Sequence, residues 1–103
     1  MLIYCVTTVL EKEIEKAWVY WMQNVHLPEM LSTGKFTKTL LCKQQPSKAS
    51  SPITYRAEYF TPDQETLNRY YQENAAALRK AAAVFKDQAT STRSEFLVLA
   101  EKK

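Results

Sequence analysis

Leu2-Ile3-Tyr4-Cys5-Val6, at the start of a 103-residue chain, is the stretch on which the fold turns. Alternate residues of a strand point to opposite faces, so an unbroken apolar run predicts a strand that must be covered on both sides. Phe96-Leu97-Val98-Leu99-Ala100 repeats the pattern near the other end. Two doubly apolar strands therefore enclose the rest of the chain.

Between them the periodicity changes. Ile14, Trp18, Trp21, Met22 and Val25 recur at helical spacing, with Glu11, Glu13, Glu15 and Lys16 on the polar side, which predicts a helix over about 11–25. Pro28 ends or bends it near His26, Pro28 to Leu31 add one further turn, and Gly34, the only glycine, closes the segment. Residues 36–44 and 53–60 read as the strands of a hairpin joined by a Pro- and Ser-rich loop. Thr61, Pro62, Asp63 and Gln64 have the form of a capping box, with the Thr61 hydroxyl as the cap. Leu67, Tyr71, Leu78, Ala82 and Phe85 mark the buried stripe of a second helix reaching about 85, and residues 90–100 form the last strand.

The order βαββαβ, with right-handed crossovers, places both helices on one face of a four-stranded antiparallel sheet whose first and third strands are central. The expected fold is an α+β ferredoxin-like sandwich in a single domain over 1–103. With both helices on one side, the other face is bare in a monomer. Burying 400 Å² of apolar surface is worth about 10 kcal/mol before association costs, so a second copy of the chain is the expected cover, enclosing a pocket between the two. Arg56, Glu58, Arg93 and Glu95 at alternate positions mean that one face is not dry throughout.

Composition narrows the classes. Cys5 and Cys42 have neither redox nor zinc spacing, and the third strand between theirs keeps them too far apart for a disulfide. No apolar stretch long enough for a membrane span and no signal-peptide pattern occurs, which gives a cytoplasmic expectation with no membrane partner. The net charge is +3, and residues 32–57 carry Lys35, Lys38, Lys43, Lys48 and Arg56 without an acid, a pattern that a solvated hairpin explains. With one histidine, no clustered acids and no phosphate-cradling glycine loop, metal hydrolysis and phosphoryl transfer are disfavoured and no cofactor is expected.

Residues 18–36 read W-x-x-W-M-x-x-x-H-L-P-x-x-L-x-T-G-x-F, continued by Tyr59, Phe60, Leu67, Tyr70, Tyr71, Leu78 and Arg79. This resembles a small, mostly bacterial family of single-domain proteins of unknown function, over nearly the whole chain. Such proteins resemble the dimeric α+β barrel superfamily, which includes cofactor-independent monooxygenases, haem-degrading enzymes and lactone isomerases. The resemblance implies a homodimer and an internal cavity, not a reaction. Leu10 departs from it, standing where a polar cap before the first helix is expected.

Few residues can carry chemistry. His26 titrates near neutrality and can serve as a general base or axial ligand, with Glu29 one turn on to orient it; equally, it can bond backbone groups freed at a helix end. Trp18 and Trp21 widen the apolar face of their helix, one on the sheet and the other toward a cavity or the dimer, with Met22 beside them; plain core packing is the alternative. Tyr4, Tyr55 and Tyr59 offer hydroxyls to a polar ligand in an apolar pocket, or simply pack the sheet. Arg56 and Arg93 can hold a carboxylate, or pair across strands with Glu58 or Glu95.

The expected function is a homodimeric small-molecule-binding protein for a small apolar or aromatic ligand, in an enzymatic form a cofactor-free oxygenase or isomerase, with His26 as the catalytic group. Two alternatives stand beside it. One is a structural interaction module whose dimer is its whole function. The other is single-stranded RNA binding with Tyr4, Tyr55 and Tyr59 as stacking residues, against which stand the small charge excess and the lack of the glycine-containing third-strand pattern.

Overall fold

A computed structural model describes residues 1–103. It contains β1 (Leu2–Leu10), a 3₁₀ turn (Lys12–Ile14), α1 (Glu15–Trp21), a π turn (Met22–His26), α2 (Leu27–Ser32), β2 (Lys38–Lys43), β3 (Ile53–Thr61), α3 (Gln64–Glu73), α4 (Ala75–Ala81), a second 3₁₀ turn (Ala82–Phe85) and β4 (Ala89–Leu97). The sheet is antiparallel in the order β2-β3-β1-β4, so the first and third strands are central, as the topology predicts. No helix is long and apolar enough to cross a membrane.

The first helical arm has the expected irregularity at His26 and the further turn after it. The irregularity takes the form of one π turn, in which the Leu27 N–H donates to Met22 O, five residues back, before the helix continues to Ser32. Pro28 supplies the reason. A proline ring collides with the carbonyl four residues earlier in a regular α-helix and has no N–H to give it, and a one-residue widening of the preceding turn removes both conflicts without ending the helix. The Asn24 side chain donates to Tyr20 O at 2.8 Å within the widened stretch. The slip also changes which side chains face inward. Val25, expected in the buried stripe, is 39% exposed, while His26 turns toward the sheet and Met30 is 1% exposed. Gly34 then turns the chain with φ +77°, in the left-handed region where a Cβ is disfavoured.

The second arm starts two residues later than the capping-box reading. Asp63, not Thr61, is the cap, its carboxylate accepting from the Thr66 N–H at 2.8 Å and the Thr66 hydroxyl at 2.7 Å. Thr61 is instead the buried last residue of β3, and its hydroxyl donates to Lys35 O at 2.8 Å. The arm breaks at Asn74, whose φ is −128°. Lys35 lies against this break. Its side chain is almost fully buried and its ammonium donates to Glu73 Oε1 and Asn74 Oδ1, both at 3.1 Å. A buried ammonium needs such partners, so this lysine belongs to the packing rather than to a solvated hairpin.

The strands sort their residues by register. On the helix-covered face, Thr39, Tyr59, Tyr4 and Glu95 form one cross-strand row, and Leu41, Ala57, Val6 and Arg93 the next. Lys38, Phe60, Ile3 and Phe96 form a row on the open face, followed by Leu40, Glu58, Cys5 and Ser94 and then by Cys42, Arg56, Thr7 and Thr92. The open face is thus apolar at one end and polar at the other.

Two expectations change here. The last strand is not apolar on both faces: β4 ends at Leu97, its body is Thr, Ser, Arg and Glu, and Val98 to Ala100 lie beyond it. The four alternating charges also do not share a face, since Arg56 and Glu58 lie on the open side and Arg93 and Glu95 under the helices. Cys5 and Cys42 are free, with β3 between their strands.

Candidate functional site

The helix-covered face is packed with aromatic rings. Tyr4 and Tyr59 are 2% and 1% exposed, with ring centroids 5.9 Å apart; Phe36 packs on both at 6.3 and 5.6 Å, and Tyr70 on Tyr4 at 5.6 Å and on Phe36 at 4.9 Å. Trp18 lies over Tyr55 at 5.1 Å. Rings at these spacings pack without voids only where their outlines match. Beside them a cavity of about 60 Å³ remains, between the sheet and the first and second helical arms. Since about 10–15 Å³ on this measure holds one water, the space suits a few waters or a small organic group.

Trp18, Trp21, Met22 and His26 line it from the first arm, and Tyr4, Ala57 and Tyr59 from the sheet floor. The π turn is what brings His26 into this set. Its imidazole stacks on Trp21 with centroids 4.8 Å apart and planes at 19°, and meets the edge of Tyr59 at 6.4 Å. Its Nδ1 is buried without a hydrogen-bond partner. Burial, with the positive charge of Arg93 adding to it, lowers the His26 pKa from 6.5 to about 4, so the ring is neutral at physiological pH. It does not bond the backbone at a helix end, and Glu29 is exposed on the outer side of α2.

On the remaining wall Arg93 is one of the sequence candidates, while Arg79 and Ser91 join it without a signal of their own in the sequence. Leu78, Arg79 and Ala82 from the second arm face Ser91 and Arg93 of β4. Arg79, Ser91 and Arg93 are exposed, so the cavity reaches solvent on this side. Both arginines turn to one buried hydroxyl: Arg79 Nη2 and Arg93 Nε each donate to Tyr4 Oη at 3.1 Å. Ser91 and Thr8 share a hydroxyl bond of 2.8 Å beside them. Arg93 does not pair across strands with a carboxylate, and Glu95 accepts from the Tyr71 hydroxyl instead. Burial is the largest cause raising the Tyr70 pKa to about 12 and also pushes Tyr59 upward, so these phenols are neutral and act as hydroxyls.

Two sequence candidates lie elsewhere. Tyr55 faces the first arm but donates to Glu15 Oε2 at 2.8 Å, outside the cavity wall. Arg56 is on the open face, in an ion pair of 3.0 Å with Glu58 two residues along its own strand, not across strands. The pocket itself also differs in place from the expected one, for it lies inside one chain on the helix side and needs no second copy to enclose it. Tyr4, Tyr55 and Tyr59, all 8% exposed or less and beneath the helices, are unavailable for stacking bases, which removes the RNA-binding reading built on them.

This sheet order and helix placement define a ferredoxin-like α+β fold. The chain belongs to the family described as a domain of unknown function (DUF4286), whose model matches residues 1–99. No curated protein matches it. Several solved structures share its fold. HapK from Hahella chejuensis superimposes with a TM-score of 0.74 at 13% identity, over 100% of this chain and 97% of that one. A dimeric ferredoxin-like protein from an uncultured marine organism gives 0.72 at 11% identity, over 100% and 99%. SnoaB, a cofactor-independent oxygenase from Streptomyces nogalater, gives 0.65 at 11% identity, over 97% and 94%. At such identities the likeness is one of fold.

Proposed function

We propose that the protein is a homodimeric small-molecule-binding protein whose site is the cavity beneath the helices, with a small apolar or aromatic ligand as its occupant. The observation that carries this reading is the neutral His26 with an unpartnered buried Nδ1 on the wall of an aromatic-lined space. A buried polar atom without a partner costs free energy, and a ligand supplying that partner recovers it. Trp18, Trp21, Met22, Tyr4 and Tyr59 supply the apolar surround, while Tyr55 and Arg56 fall outside the proposed site.

In its enzymatic form the site performs cofactor-free oxygenase- or isomerase-like chemistry. Both begin with removal of a proton from a weak acid, which a neutral imidazole accepts. The basicity of His26 in the empty protein is low. A ligand bearing developing negative charge next to Arg93 offsets the cation that helps hold it down. The cofactor-independent oxygenase among the structural neighbours supports this form by analogy of fold alone.

The dimer rests on the open face. Ile3 and Phe60 share one row with Phe96, which is 54% exposed, and Leu40 in the next row is 41% exposed. A contiguous apolar patch on a small domain marks an interface, and a neighbour of the same fold is described as dimeric. The two unpaired thiols fit a cytoplasmic location.

The test of the site is His26→Ala, with a crystal structure of protein purified without added ligand inspected for density beside His26. Loss of turnover or of the co-purified molecule with the melting temperature little changed is the expected result. A large loss of stability with ligand capture intact overturns the reading. The third function, a bare interaction module, predicts an empty cavity in every preparation.

A further inference from the structure

We infer that the ligand is an organic anion, a small flat carboxylate whose ring enters the aromatic cavity and whose charged end is held at its mouth by Arg79 and Arg93. This rests on the cavity being a ligand site and adds the charge and polarity of its occupant. The two guanidinium groups come from α4 and β4 and converge on a single oxygen of β1, 75 and 89 positions away in the chain. Donor nitrogens each 3.1 Å from Tyr4 Oη stand within roughly 6 Å of each other, where two positive charges repel. No carboxylate relieves them: neither arginine takes part in any ion pair of the chain, and the nearest acid along β4, Glu95, accepts from Tyr71.

A single phenol hydroxyl is a poor counter-group for two cations. Its one oxygen holds them in place but leaves most of their N–H donors unused. A carboxylate at the mouth would accept from both guanidinium groups, while Tyr4 fixes their approach from beneath. The rest of the wall fits the other end of such a molecule. Trp21 and His26 stack on each other at 4.8 Å and form one flat wall, Ala57 and Ala82 keep the floor and lip low, and the cavity of about 60 Å³ takes the inner edge of one small ring, the rest of which lies at the open mouth. A cationic ligand is disfavoured at this mouth, and a neutral one leaves the arginines as they are.

Trp18 and Trp21 are the only tryptophans in the chain and both line the cavity, so their emission reports occupancy directly. The experiment titrates the intact protein with benzoate, benzamide and benzylamine, excited where only tryptophan absorbs. Benzoate should bind at least about tenfold more tightly than its neutral isostere benzamide, with benzylamine weakest. Raising the salt concentration should weaken benzoate and leave benzamide unchanged. Arg79→Gln and Arg93→Gln, both at exposed positions, should each remove most of the preference for benzoate, and Arg→Lys at either site should restore part of it.

Equal binding of benzoate and benzamide, with no salt effect, overturns the anion while leaving the cavity as a ligand site. A benzoate preference that survives the double Gln variant also overturns it, by placing the anion elsewhere. Absence of any response to all three probes overturns both this inference and the ligand-site reading beneath it. The salt comparison needs no variant, so the result does not depend on how the substitutions fold.

Discussion

The two faces of the sheet are made from alternate residues of the same four strands, yet they meet different needs. Beneath the helices, Tyr4 and Tyr59 are almost wholly buried and in contact with rings from both arms. On the open side, the neighbours Ile3, Phe60 and Phe96 form a small apolar corner beside the Arg56–Glu58 ion pair. The covered face gains its stability inside the chain, and the open face has apolar area that only another molecule can cover. One strand can serve both because its side chains alternate.

Tyr59 and Phe60, adjacent in sequence and opposite in facing, offer the sharpest break of that contrast. Tyr59→Ala should lower unfolding free energy by about 3–5 kcal/mol, since a large buried aromatic leaves a cavity behind. Phe60→Ala should cost about 1 kcal/mol or less within the chain but shift sedimentation at micromolar concentration from dimer toward monomer. Urea midpoints at several protein concentrations separate the two effects. Equal losses for both substitutions, or a wild-type monomer, would mean that the faces are not divided in this way.

A pH series probes the covered face alone. Because the folded-state pKa of His26 is lowered from 6.5 to about 4, the unfolded chain binds a proton in that window that the folded chain refuses. The stabilising contribution of the neutral ring is therefore whole above about pH 6.5 and falls away toward pH 4, by up to about 3 kcal/mol. Glu15 and Glu73 also have lowered values, through bonds to Lys43 and Lys35 respectively, and lose stabilisation as they protonate. The difference between wild type and His26→Phe at pH 7 and pH 4.5 isolates the histidine. Identical pH slopes for the two proteins would show that His26 is solvated and not held neutral by burial.

Gly34 gives the smallest effect and belongs to neither face. A Cβ placed there meets nothing within 4 Å, so the cost of Gly34→Ala is that of the positive φ alone, about 1 kcal/mol. Asn, which tolerates this backbone region, should cost less than Ala in the same thermal melt. A larger loss would point to a contact across the turn rather than to backbone conformation.

Local periodicity was enough for most of the architecture. The 2-residue and 3.6-residue patterns of apolar side chains, the lone glycine and the hairpin loop lead to βαββαβ, to central first and third strands, and to thiols too distant to join. These features are short-range or follow from chain chirality. Errors appeared where two local signals competed. Thr61 and Asp63 both suit a helix cap, and β3 pairing claimed the threonine. The apolar run from Phe96 has the pattern of a strand body, yet ladder pairing ends at Leu97.

The site divides along the same line. His26, Trp18, Trp21, Met22, Tyr4 and Tyr59 were legible from residue type and helical or strand spacing, and all line one cavity. Arg79 stood in the sequence only as a residue of the family pattern, and nothing local pairs it with Arg93. Periodicity sets the phase of side chains within one element but not between elements. The π turn at Pro28 decided that His26 and not Val25 points inward, and the docking of α4 beside β4 decided that two arginines share the Tyr4 hydroxyl. The first follows from a ring clash inside one helical arm, which apolar periodicity does not register, and the second joins Tyr4 to residues 75 and 89 positions away, which only the folded structure brings within reach.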